Sequence, residues 1–129
     1  LLDLSLSSKQ VLLGDSMGEL ALFYALANCS FVGGSLVPVG GHNILEAFAC
    51  NCPVIIGPYQ DNFKEVSKDS IEIGAARVVM DEVSLKDVVI DILNSQKMAK
   101  NQADLAHKLL SKNKGASSII ISYLDRKLA

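Results

Sequence analysis

Short apolar runs alternate along the chain with longer stretches in which apolar positions recur every three or four residues. Val11-Leu12-Leu13, Cys29-Ser30-Phe31-Val32, Val54-Ile55-Ile56 and Arg77-Val78-Val79-Met80 are the short runs, and glycine closes the first three, at Gly14, Gly33 and Gly57. Runs of this length bounded by turn residues predict buried strands. Between and after them, the spacing predicts helices over 18–27, 44–50, 63–73, 85–93, 95–110 and 117–128. Leu20, Phe23, Tyr24 and Ala27 mark the first of these. Met98, Leu105 and Leu109 share one face of the fifth, and Ile120, Leu124 and Leu128 one face of the last. Strands alternating with helices predict an α/β fold: a Rossmann-like parallel sheet flanked by helices on both faces.

The loop chemistry is concentrated in the front of the chain. Eight of the nine glycines lie between Gly14 and Gly74, and all three prolines (Pro38, Pro53, Pro58) fall in the same stretch. Ligands of doubly wound sheets bind beyond the carboxyl ends of the strands. Here those ends are Gly14-Asp15, Gly33-Gly34-Ser35 and Gly57-Pro58-Tyr59, so the unusual loops coincide with the expected ligand edge.

Each loop has a structural reading beside a functional one. Ser16 and Glu19 have the spacing of a capping box, as do Asn43 and Glu46, and Asn62 and Glu65. The second loop exceeds what capping needs. Two glycine pairs, Gly33-Gly34 and Gly40-Gly41, permit positive φ and close approach of backbone to a ligand. The second pair leads into a helix start, whose N–H groups suit a phosphate. His42 can donate to a phosphate or cap a turn. Neither a Walker A motif nor the dinucleotide fingerprint is present.

The remaining composition removes several functions. A net charge of −2 with no tryptophan disfavours a nucleic-acid partner. No apolar run approaches the ~20 residues of a membrane span. Three cysteines argue against a disulfide framework and for a reducing compartment, and Cys50 and Cys52 read as small core residues. No zinc ligand set completes around His42 or His107, and no Asp-x-Asp or Ser-His-Asp set occurs, so neither a metal site, a cofactor nor a catalytic residue is assigned. The 129 residues suit one domain, and the start at Leu1 implies a piece of a longer chain.

The three loops, in this order, resemble the C-terminal domain of Kdo (3-deoxy-D-manno-octulosonic acid) transferases. The resemblance runs through Val11-Leu12-Leu13-Gly14-Asp15-Ser16-Met17-Gly18-Glu19-Leu20, Phe31-Val32-Gly33-Gly34-Ser35-Leu36-Val37-Pro38, Gly40-Gly41-His42-Asn43 with Leu45-Glu46, and Gly57-Pro58 with Asn62-Phe63. It implies the C-terminal half of a GT-B glycosyltransferase, binding the donor CMP-Kdo. It further implies an inverting, metal-independent transfer to a lipid A precursor in lipopolysaccharide synthesis, at the cytoplasmic face of the bacterial inner membrane.

By that resemblance Gly40, Gly41, His42 and Asn43 hold the CMP phosphate and Glu46 approaches the ribose. Ser16, Met17, Gly18 and Glu19 line the cleft with Gly34 and Ser35, and Asn62 contacts the donor. The acceptor, the catalytic carboxylate and any membrane contact are placed in a missing N-terminal domain, which leaves this domain soluble and cytoplasmic. The sequence departs from the family at Ile44 and Ala47, where prolines are usual, and at Tyr59, where histidine is frequent. Two other readings remain open on the glycine loops alone: a GT-B enzyme or related epimerase using a UDP-sugar, and a non-catalytic Rossmann-like regulatory module.

Overall fold

The computed structural model describes residues 11–112. The helix expected over 117–128 lies outside them. In chain order the elements are α1 (Leu20–Leu26), β1 (Ser30–Phe31), α2 (Leu45–Ala49), β2 (Val54–Ile56), a 3₁₀ turn (Asp61–Phe63), α3 (Lys64–Glu72), β3 (Ala76–Val78), α4 (Glu82–Asn94) and α5 (Gln96–Lys112). The strands form one parallel sheet in the order β1-β2-β3, with Phe31 opposite Ile55 and Ile55 opposite Arg77.

The central strand explains the two layers. All three residues of β2 are fully buried, because its side chains alternate between two covered faces. Val54 and Ile56 face a core with Ile44 at the N-cap of α2, Ala47 and Phe48 within it, and Ala106, Leu109 and Leu110 of α5. Ile55 faces the other way, onto Val79 and Ile92, with Leu85, Val88 and Val89 of α4 packed around them. Gln102 ties α5 to the sheet: its buried amide donates to the carbonyls of Val54 at 2.7 Å and Ala75 at 3.0 Å. It takes the inward place on the face expected for Met98, which is exposed.

Several expectations are corrected. Val11, Leu12 and Leu13 form no strand and are exposed. An apolar triplet becomes a strand only by pairing with a neighbour, and β1 pairs with β2 alone among the described residues. The three expected capping boxes are absent. The Ser16 hydroxyl donates to the Glu19 carboxylate instead of accepting from a backbone N–H, and Glu19 itself occupies the N-cap of α1 without a side-chain cap bond. Asn43 Oδ1 accepts from Leu45 N–H two residues on, which is an Asx turn with Ile44 at the N-cap. Asn62 lies inside the 3₁₀ turn. The capping box that does form joins Asp81 and Ser84 at the start of α4, reciprocal between side chains and backbone.

Candidate donor-binding site

Three backbone segments meet beyond the carboxyl ends of β1 and β2, and Ser35 joins two of them. Its buried hydroxyl donates to Val32 O at 2.6 Å and accepts from Gly57 N–H at 2.9 Å. Its carbonyl accepts from Tyr59 N–H at 3.0 Å. A methyl group on Gly57 would collide with that same carbonyl and lie 2.6 Å from Leu36 N, so the two strand exits run in direct backbone contact. Ser35 was expected to face the ligand. Its hydroxyl both donates and accepts inside the protein, so it braces the two strand exits.

The 40–43 loop folds back onto this frame. Gly34, Gly40 and Gly41 have φ of +71°, +100° and +70°, a region costly for residues with a Cβ. Gly41 N–H donates to Gly34 O at 2.8 Å. Asn62 anchors the loop from its far side, its N–H donating to Gly40 O at 3.0 Å and its side-chain amide to Gly41 O at 3.3 Å and Val39 O at 3.4 Å. The expected donor contact of Asn62 therefore has a structural partner role beside it. The His42 side chain is exposed and lies over Gly34, where a methyl group would sit 3.2 Å from its ring.

The backbone N–H groups of His42 and Asn43 have no hydrogen-bond partner among the described residues. They are the feature of this loop best suited to an anion. The helix that follows is only five residues long, so aligned peptide dipoles add little to them.

Glu46 sits half-buried in the first turn of α2. Burial, and then the Glu46 charge, raise the Tyr24 hydroxyl above its ordinary pKa, and the same two causes in the same order raise the Cys50 thiol. The Glu46 carboxylate is thus near enough to both Tyr24 and Cys50 to raise them. Tyr24 packs against the core. Burial likewise raises the thiols of Cys29 and Cys52, although the Ser30 hydroxyl lowers Cys52 in part. All three cysteines are free.

Ser16, Met17, Gly18 and Glu19 are exposed and make no hydrogen bond to the 34–43 loop among the described residues. Gly18 has φ +84°, and Gly14 lies against the Phe23 ring. No group of three or more potential metal ligands occurs among the described residues, and no described helix is long and apolar enough to cross a membrane. Sequence reasoning missed Gln60 and Ser67, both buried beneath the glycine loop. A lone glutamine in a loop carries no periodic signal. The inward small polar pair Ser67 and Ser70 on α3 was the available hint.

The model of the family "Glycosyl transferases group 1" matches residues 2–109. The chain is 39% identical over 124 residues to the 3-deoxy-D-manno-octulosonic acid transferase of Haemophilus influenzae, covering 92% of this chain and 29% of that protein. It is 35% identical over 115 residues to the enzyme of the same name from Bordetella pertussis, covering 89% of this chain and 27% of that protein. The chain thus spans less than a third of the length of these curated relatives. Among solved structures, the C-terminal CMP-Kdo binding domain of WaaA from Acinetobacter baumannii matches with 40% identity and a TM-score of 0.72, over 75% of this chain and 51% of that one. With a parallel sheet, a glycine-built loop at its carboxyl edge and a family match over most of its length, the chain belongs to the glycosyl transferase group 1 family, and the relatives it is similar to are Kdo transferases.

Proposed function

We propose that this chain is the donor-binding part of a Kdo transferase, holding CMP-Kdo while Kdo passes to a lipid A precursor. The observation that carries the reading is the 40–43 loop. Its glycines adopt conformations open to residues without a Cβ, and the N–H groups of His42 and Asn43, unpartnered among the described residues, are the donors that suit a ligand phosphate. His42 stands exposed beside them as a further donor. Glu46, one helical turn on, offers a carboxylate to ribose hydroxyls.

The solved domain matched at 40% identity is described as binding CMP-Kdo, which supports the same donor here. In this reading Ser16, Met17, Gly18 and Glu19 of the first loop line the cleft that holds the donor. The acceptor and the catalytic base belong to the facing domain, and the whole enzyme works at the cytoplasmic face of the inner membrane. Calorimetric titration with CMP, UMP and ADP tests the donor. CMP should bind, with chemical-shift changes centred on Gly41, His42 and Asn43. Preference for UMP would move the chain to the UDP-sugar enzymes. Shift changes confined to α4 and α5 would sink the site.

A further inference from the structure

We propose that Gln60, latched by Ser67, is a positioning residue that fixes the shape of the 40–43 loop and thereby sets its affinity for the donor phosphate. This rests on the reading that the loop binds the donor.

Gln60 is 8% exposed and packs against Gly41 of the loop. Its Nε2 donates to Gly57 O at 3.3 Å, and its Oε1 accepts from the Ser67 hydroxyl at 3.2 Å. A carbonyl can only accept, so Gly57 O decides which end of the amide is which. Oε1 is then turned toward Gly41, where a methyl group would stand 2.5 Å from it and 3.0 Å from Cδ.

Peptide 41 is consequently held on three sides. Gly34 O takes its N–H, Asn62 takes its carbonyl, and the Gln60 amide lies against its Cα. The next two N–H groups in the chain are the unpartnered pair of His42 and Asn43. The His42 N–H shares its peptide plane with the Gly41 carbonyl, so holding that carbonyl fixes its direction; Asn43, one residue on, is held from the other side by its own bond to Leu45 N–H. A site whose donors are fixed before binding loses less on ordering when the ligand arrives. Ser67 is 1% exposed on α3, so the latch also transmits the rigidity of a nine-residue helix to the loop.

The test compares the parent chain with Ser67→Ala, which removes only the latch, and Gln60→Leu, which removes the amide. Amide hydrogen exchange is read without ligand, and CMP is the titrant. Losing one hydrogen bond of this kind should speed Gly41 N–H exchange about fivefold in Ser67→Ala and more in Gln60→Leu. Ile55 and Ile56 amides should keep parental rates, and the CMP Kd should rise by a similar factor. Parental exchange at Gly41 in both variants overturns the proposal. So does acceleration at Ile55 and Ile56 equal to that at Gly41, which would make Gln60 a general core contact. If the parent chain binds no CMP, the donor reading and the affinity half of this proposal fall together, while Gly41 exchange still decides whether Gln60 shapes the loop.

Discussion

Ser35 illustrates how a residue expected at a site can also brace the backbone around it. The glycines on either side of it were legible in the sequence, since paired glycines after an apolar run mark a backbone that must turn tightly. Its direction was not legible. Whether a serine in such a loop faces out or in depends on what lies across from it, and here that is Gly57 N–H, 22 residues away. Ser35→Ala leaves that buried N–H without its acceptor and should cost about 1–3 kcal/mol of stability. Thermal unfolding of the variant against the parent measures it; an unchanged melting temperature would return Ser35 to the list of ligand contacts. Asn43 and Asn62 show the same limit. Both were recognised as polar residues at turn positions, but the sequence offered capping where the structure has an Asx turn and a clamp on the glycine loop.

At the scale of elements, position was easier to read than ends. β2 was placed correctly to the residue, because Pro53 and Gly57 bracket a run that is buried on both faces. β3 begins one residue earlier than expected, at Ala76, and α4 begins three earlier, at Glu82. The α4 start was missed because its capping box uses serine, not glutamate, at the third helical position. Asp81 is held below its ordinary pKa first by the Ser84 backbone N–H, then by the Ser84 side chain. A carboxylate with a depressed folded pKa contributes stability that is present above its unfolded pKa and lost as pH falls through the folded value. The start of α4 should therefore fray in acid, below the ordinary aspartate range. Asp81→Asn keeps a capping oxygen but removes the charge, so the acid dependence of Ser84 amide exchange should disappear in that variant. If it persists, the dependence arises elsewhere.

For the whole molecule, the alternation of strands and helices was enough for the fold class, and the glycine strings were enough for the family. The Val11-Leu12-Leu13 run was misread for a reason that lies outside any local pattern: a strand needs a neighbour, and among the described residues none pairs with it. The same scale governs activity. The chain spans 29% of the length of the Haemophilus influenzae relative. Among the described residues its candidate site offers N–H donors and one half-buried carboxylate, Glu46, and the proposed reading leaves the base to the facing domain. A positioned base contributes ~10²–10⁴ in rate, and alignment of two substrates contributes further. The 129 residues alone should therefore give no transfer above background from CMP-Kdo to a lipid A precursor. Robust turnover by the purified chain would refute that division and direct the search for a base to Asp15, Glu19 and Glu46.

The outer edge of β1 has a further consequence, for handling in solution. No described strand covers that edge, and Leu20, Leu22, Phe23 and Leu26 of the neighbouring α1 are all exposed. Unpaired ladder groups beside apolar side chains form the kind of surface through which chains stick to one another. Self-association through that surface should limit the working concentration of the purified chain, and charged substitutions on α1 should raise it.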